Sequence, residues 1–462
     1  MKRTQVFFLA FVVFFKIISG QWLETTIDIA PDSGTIALVW NSTNNRLYCA
    51  NYATNNLTVI DCNTNQIITR IPTGEGPTAL AYNRINNRVY CANRNSNNIT
   101  VIDCTNNEVE TIIPVVGTWP GALLWNPLNN KVYCAVNWGD NITVINGATN
   151  RTDTTIYAGN WPQFFALNTT NNTIYCAVEE TDQVVAINCA NQHIIANINV
   201  GDSPKEVIWN SVSNKVYSTN RIANSVTIIN AATNQVITTI PVGNGPQFLA
   251  YNSTNNKVYC SNNLTNTISV IDGYDDHVDT TLNMVYSTTW NLLWNRLNNK
   301  LYCCLFWPST VRVTNCQSNV IVASIIVGAG PKPLAWDSID NRVYVGCYDG
   351  RKVSVLCDEM DLAEEPVNFI NDNEVNNVLF CPNPFSVYTK IHFSSCKNAD
   401  FETNLHIYDV TGKLVRIFFL TPGRDIDIIW DGKNNYGKTL CPGVYFCQKG
   451  KSPILNKVLI SR

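Results

Sequence analysis

The sequence predicts an all-β chain dominated by an eight-bladed β-propeller. Three observations carry this reading. A tyrosine recurs at Tyr48, Tyr90, Tyr133, Tyr175, Tyr217, Tyr259, Tyr302 and Tyr344, in steps of 42 or 43 residues. Each copy holds four short apolar runs, in the second copy 79–82, 88–92, 99–102 and 109–115. The N-terminal region supplies one extra run that the last copy lacks.

The runs are four to seven residues long, rich in β-branched and aromatic residues, and bounded by Asn, Gly, Pro or Asp, which is strand and turn chemistry. Four strands in about 42 residues is the arithmetic of a propeller blade. A solenoid would need polar caps at both ends, and none is present. A ring needs a seam instead. Residues 26–29 followed by Asp32-Ser33-Gly34 align, at an offset of 42, with 68–71 followed by Gly74-Glu75-Gly76. The last copy stops at 353–356 with three strands. The N-terminal strand is therefore expected to complete the last blade and remove two exposed sheet edges. Seven blades plus a divergent unit is the alternative.

Residues 1–20 read as a signal peptide. Lys2 and Arg3 precede an unbroken apolar run over 6–15, and Ile18-Ser19-Gly20 offers a small residue before Gln21. The run is too short to span a bilayer, and no later segment is long and apolar enough to do so. The propeller is assigned to 21–358. An acidic, unpatterned linker follows over 359–377, and a small β-domain over 378–462.

Charged residues make up 15 % of the chain and the net charge is −3, so no basic stripe points to nucleic acid. Seventeen cysteines in an exported chain invite disulfides. Their positions argue otherwise. Cys49, Cys91, Cys134, Cys176, Cys260 and Cys303 follow the repeat tyrosine, and Cys62, Cys104, Cys189 and Cys316 follow an Asp or Asn. A repeated position describes a repeated packing environment, and free cysteine behaves as a small buried hydrophobe. Mostly packing cysteines, with a few bridges, are expected.

Val89-Tyr90-Cys91-Ala92-Asn93, Asn98-Ile99-Thr100-Val101-Ile102-Asp103 and Ile240-Pro241-Val242-Gly243-Asn244-Gly245-Pro246 resemble the YVTN-type, YncE-like propeller repeat of secreted surface proteins. The resemblance implies a binding or surface role rather than one chemistry. The chain departs from that repeat by placing Cys where Val is usual. Beyond the linker, Cys381-Pro382-Asn383-Pro384-Phe385, Leu405-His406-Ile407-Tyr408-Asp409-Val410-Thr411-Gly412, Ile429-Trp430-Asp431-Gly432 and Gly443-Val444-Tyr445-Phe446 alternate as strands between Thr-Gly and Asp-Gly turns. The set resembles the C-terminal sorting domain of the type IX (Por) secretion system, a β-sandwich of FlgD Ig-like type. That likeness implies the type IX machinery as partner and outer-membrane surface delivery or secretion.

Catalytic chemistry is sparse. His193, His277, His392 and His406 are the four histidines, and none falls in the loops expected at the channel mouth. No zinc-spaced Cys/His set, nucleophile elbow, P-loop or dinucleotide fingerprint is present, and no cofactor is expected. Asp272, Asp275 and Asp276 are weak candidates for a cation.

Binding residues are sought as departures from the repeat. Trp40, Trp125, Trp209, Trp294 and Trp336 recur at one first-strand position and read as core. The loop from fourth to first strand is usually Gly-x-Gly-Pro, and Trp119, Trp161 and Trp290 are read as replacing its small residue. The loop between second and third strands contributes Trp138, Glu179, Glu180, Arg221, Phe306, Trp307, Tyr348 and Arg351. The ligand-binding candidates are Trp119, Trp138, Trp161, Trp290, Trp307, Tyr348, Arg221 and Arg351. Exposed rings round a mouth favour stacking on a ligand. The leading reading is a non-catalytic binding or scaffold propeller for a glycan, peptide or surface protein. The alternatives are an exported lyase or hydrolase using acidic loop residues, and a structural surface-layer component.

Overall fold

The computed structural model describes residues 20–29, 34–284 and 288–358, and, C-terminally, 378–381, 389–393, 403–409, 413–420, 426–435, 438–441, 443–449 and 455–460. The apolar run of the signal-like segment and the acidic segment 359–377 lie outside the described residues. The chain divides into two units, 1–363 and 364–462.

Strand β1 (Gln21–Asp28) precedes the first blade, β2 (Thr35–Asn41), β3 (Arg46–Asn51), β4 (Asn56–Asp61) and β5 (Gln66–Pro72). Six more four-stranded antiparallel sheets of the same order follow. The eighth consists of Pro331–Asp337, Arg342–Cys347, Lys352–Asp358 and β1. First strands of successive blades pack together, and Pro331–Asp337 packs on β2, which closes the ring.

β1 pairs antiparallel with the last strand from Gln21↔Asp358 to Asp28↔Lys352, so the seam lies where the sequence put it. The register is two residues away from the offset of 42. Ile27 faces Val353 as Ile71 faces Leu57, so Ile27 and not Ile29 takes the place of Ile71. A shift of two keeps each side chain on its face, and the connection to Gly34 is two residues longer than its counterpart before Gly76. Glu24 occupies the bulge of β1 and pairs with Arg342 (2.6 and 2.7 Å). Arg88 pairs with Glu110, Lys131 with Asp153 and Lys257 with Asp279 in the same way within single blades.

The abundance of asparagine has two structural causes. Asn45, Asn87, Asn130, Asn172, Asn214, Asn256, Asn299 and Asn341 all sit at φ 49–53° in the turn between first and second strands. Asn tolerates this left-handed backbone better than most residues. The side chains also link blades: Asn41 donates to Asn87, Asn83 to Asn130, Asn126 to Asn172, Asn168 to Asn214, Asn210 to Asn256, Asn252 to Asn299 and Asn295 to Asn341, at 2.6–3.1 Å. The five repeat tryptophans are half-buried, and each indole Nε1 donates to the turn asparagine five residues on.

All eight repeat tyrosines are fully buried. Tyr48, Tyr90, Tyr133, Tyr175 and Tyr217 donate to Asn107, Asn150, Gln192, Asn234 and Asp276 of the next blade, and Tyr344 reaches Asn65 across the seam. A tyrosine that packs with its ring and latches with its hydroxyl suits this inter-blade layer.

Thirteen of the described cysteines are buried with free thiols, the ten at the repeat positions among them. None of these thirteen forms any of the few bridges expected. Burial raises these thiols above the ordinary value, Cys62 to about 12, which makes them unreactive packing groups.

The C-terminal unit holds a three-stranded sheet (Val378–Cys381, Thr389–Phe393, Ile426–Trp430) and a four-stranded sheet (Leu414–Leu420, Thr403–Asp409, Gly443–Lys449, Leu455–Ile460). Ile391 and Trp430 of the first share one apolar cluster with Leu405, Ile407, Tyr445, Cys447 and Val458 of the second. Two sheets closed over one core form a sandwich.

Candidate functional site: the mouth of the channel

One backbone bond repeats in every blade and builds the mouth. The residue that opens the loop after the second strand donates its N–H to the carbonyl of the residue before the first strand, at 2.8–3.2 Å. The pairs are Tyr52–Gly34, Arg94–Gly76, Asn137–Trp119, Glu179–Trp161, Arg221–Ser203, Asn263–Gly245, Phe306–Thr288 and Tyr348–Gly330. The acceptor residue is left-handed at Gly34, Gly76, Trp119, Trp161, Ser203, Gly245 and Gly330. Its N–H is held in turn by a loop side chain, as Trp119 is by Asn97 and Ser203 by Asp182. Because the frame is made by backbone, the bond persists through different side chains at both positions, although the left-handed acceptor favours glycine. The second residue of each first strand completes the set: Ile36, Thr78, Gly121, Gln163, Lys205, Gln247, Trp290 and Lys332.

Trp119 and Trp161 therefore stand where glycine is the unstrained choice, both at φ 64°. A bulky residue there is an outlier that the surroundings must enforce. Trp290 does not share this position. It is on the strand Thr289–Asn295, and the glycine-equivalent position of that blade belongs to Thr288. The irregular spacing of that copy, which lacks Gly-Pro, misaligned it in the sequence.

Trp119, Trp138 and Trp161 come together as a cluster, with ring centroids 5.1, 5.7 and 5.9 Å apart. Trp138, on a single 3-10 turn (Asn137–Gly139), is 60 % exposed. The Arg94 guanidinium lies 4.3 Å from the Trp119 ring centre. A second group runs Phe164–Phe248–Trp290–Phe306–Trp307 with steps of 5.2–6.5 Å, and Trp307 is 61 % exposed. Lys332 Nζ sits over Tyr348 at 3.7 Å and near Trp290 and Phe306 at 5.2 and 5.4 Å. These are cation–π distances.

Between the two groups lies a polar array. Gln163 Nε2 and Ser203 Oγ donate to Glu179 at 2.6 and 3.0 Å, and Lys205 Nζ donates to Gln163 Oε1 at 2.9 Å. Lys205 and Arg221 approach Glu179 at 3.6 and 3.9 Å. An open hollow of about 690 Å³ is lined by Trp161, Glu179, Ser203, Lys205 and Ile222 among others. Deeper, Glu206 Oε2 accepts the backbone N–H of Leu249 (2.7 Å), and burial pushes its carboxyl up to about 8. Lys205 is lowered by the same desolvation.

Arg351 is not brought into this array: its carbonyl accepts the Ile29 N–H, and it serves the seam. The weak cation candidates are consumed locally. Asp272 Oδ1 caps its own turn through the N–H groups of Tyr274 and Asp275, and Asp276 pairs with Lys215 at 2.8 Å. No group of metal-ligating side chains occurs among the described residues. His193 begins an outer strand and lines a rim hollow of about 600 Å³ with Lys131 and Asp153. His277 lies 3.4 Å from Asp279, also at the rim. Sequence reasoning missed Arg94, Phe164, Lys205, Glu206, Phe248 and Lys332. A comparison of first strands across the eight copies reveals five of them, since 37, 79 and 122 are alanine where 164, 206 and 248 are Phe, Glu and Phe.

No curated protein matches the chain in sequence. Among solved structures, the computationally designed Ika8 protein is 15 % identical, with TM-score 0.61, covering 73 % of this chain and 99 % of that one. Hydrazine synthase of Kuenenia stuttgartiensis is 15 % identical, with TM-score 0.51, covering 71 % and 96 %. Both likenesses are of fold alone. The sequence itself speaks to the repeat: residues 23–211 match the family of YNCE-like beta-propellers.

Proposed function

We propose that this chain is a non-catalytic binding propeller, exported through its signal-like N-terminus and displayed through its sorting-like C-terminal unit, that takes an extracellular ligand at the aromatic mouth. The observation that carries the reading is the Trp119–Trp138–Trp161 cluster. Two of its rings occupy a strained glycine position and the third is mostly exposed, so folding gains little from them. Large rings at a loop tip are the usual anchors of an interface. The propeller fold supports a binding or scaffold role in general terms, and the ligand classes compatible with the mouth are glycan, peptide or a neighbouring surface protein. A glycan and peptide array probed with the full chain tests the reading. Saturable binding that Trp138→Ala abolishes supports it, and no binding to any class favours a purely structural surface component.

One observation favours a second reading, an exported lyase or hydrolase. Glu206 carries its proton near neutral pH, the state required of a general acid. Turnover of a bound ligand, lost in Glu206→Gln, would select it.

A further inference from the structure

The chain as a whole is slightly negative, −3, and acids stand at its loop tips, yet the framed positions inside its mouth carry more cations than acids. The three framed positions of the eight blades hold four cations, Arg94, Lys205, Arg221 and Lys332, against a single carboxylate, Glu179. Glu179 is the acid within ion-pairing distance of Lys205 and Arg221. Arg94 and Lys332 have no such acid among the described residues and rest instead on the rings of Trp119 and Tyr348. Elsewhere on the blades three cations at the start of the second strand are paired within their own blade, Arg88 with Glu110, Lys131 with Asp153 and Lys257 with Asp279. Arg94 and Lys332, each on an aromatic face and neither in an ion pair among the described residues, are thus cations held open to a ligand at the orifice.

We infer that the mouth binds an acidic glycan, its sugar rings stacked on the exposed tryptophans and its carboxylate or sulfate groups set on Arg94 and Lys332. The inference rests on the binding reading above and adds the ligand's charge. The spacing of charge selects this class over a nucleic acid. Glu75, Glu180, Asp202 and Asp349 stand exposed at the loop tips round the cationic ring, and a polyanion with a charge on every residue would be repelled by them. A chain with discrete anionic groups among uncharged ring faces meets both. Arginine fits a carboxylate or sulfate through paired N–H donors, and stacking on Trp119 holds its plane in place.

The test is a titration of the full chain, followed by tryptophan fluorescence and calorimetry, with three probes. These are a hyaluronan oligosaccharide, which carries a carboxylate on alternate sugars only, its methyl ester as the uncharged match, and single-stranded oligothymidylate. The expected result is saturable binding of the hyaluronan oligosaccharide, weakened about tenfold by methyl esterification and about tenfold by Arg94→Gln or Lys332→Gln. The ester's affinity should be unchanged by those two variants, and circular dichroism should show both folded. Unsulfated chondroitin, with the same alternation of charged and uncharged sugars, should compete. Equal affinity for acid and ester overturns the charge assignment and leaves the aromatic mouth standing. Tighter binding of oligothymidylate overturns the glycan assignment. Binding of neither glycan, acidic or esterified, together with a protein or peptide ligand found by array, overturns the inference while leaving the binding reading intact.

Discussion

Asp337 ends the first strand of the eighth blade where the other seven blades place an asparagine, and it cannot give Asn45 the hydrogen bond that each of those asparagines gives its neighbour. Its Oδ2 is buried without a partner, while Asn45 Oδ1 accepts from Trp40. Burial pushes the Asp337 carboxyl up to about 6, with Asp340 adding to the rise and Arg342 opposing it. The native state thus holds this proton more tightly than the unfolded chain, whose carboxyl titrates near 3.9. The contribution to stability is full at low pH and is lost as pH rises to about 6.

Asp337→Asn supplies the missing donor and removes the charge. The variant should melt several degrees higher than the wild type at pH 7.5, for a gain on the order of 2 kcal/mol. Most of that gain should vanish at pH 4.5, where Asp337 is itself protonated. Melting curves at both values decide it: an equal gain at both would mean that Asp337 does not titrate in this range.

The clasp at the seam predicts a second result. Deleting Gln21–Asp28 leaves the last blade with three strands and an unpaired edge. Aggregation, or a loss of several kcal/mol, is expected. Glu24→Gln removes only the ion pair to Arg342 and should cost about 1 kcal/mol or less. A deletion that leaves the melting temperature unchanged would show that β1 is dispensable.

Trp119→Gly and Trp161→Gly separate folding from binding. Both relieve a left-handed backbone that glycine adopts freely, so stability should stay level or rise by about 1 kcal/mol. Ligand affinity should fall by about 1–3 kcal/mol, as for an interface anchor. Loss of stability with binding intact would make the cluster a packing element.

Glu206 gives a second pH signature. Its carboxyl is raised to about 8 by burial, so its contribution is present below that pH and is lost as pH rises through it. Glu206→Gln keeps an uncharged side chain of the same size. Wild-type stability should drop between pH 7 and 9 by more than that of the variant, as read by urea titration. Parallel profiles would assign the drop to other groups.

Delivery is tested in a host with the type IX system. Removing 378–462 should trap the propeller in the periplasm, as read by fractionation. Surface display without those residues would remove the sorting role.

The repeat made the blades legible because each structural demand recurs eight times: a tyrosine to latch the next blade, an asparagine for a left-handed turn, and a β-branched pair to fill the sheet. The seam was legible because one strand was missing at one end and supernumerary at the other. Its register was not, since the longer connection before Gly34 moves the pairing by two without altering the apolar pattern. The rings at Trp119, Trp138 and Trp161 could be read as departures from a repeat, but their mutual contact could not. Trp290 was misplaced because its copy lacks the Gly-Pro marker. Arg94 and Lys332 escaped notice because a single cation in a sequence does not reveal its partners: their distinction is a seat on an aromatic ring in place of an ion pair, which only the fold establishes.

The backbone bond that frames the mouth has a consequence for variation. Since it involves no side chain at either end, the residues it holds can be exchanged between blades as cassettes, and the recognition pattern can be turned about the channel axis in steps of one blade. Moving the Trp161, Gln163 and Glu179 cassette to the positions of Gly245, Gln247 and Asn263, with Leu264 cut back because its Cγ lies 2.7 Å from where a Cβ at Gly245 would stand, would carry that part of the surface round the ring. Such a frame can change its ligand by reassigning letters at fixed sites, with no loop lengthened and no strand re-registered.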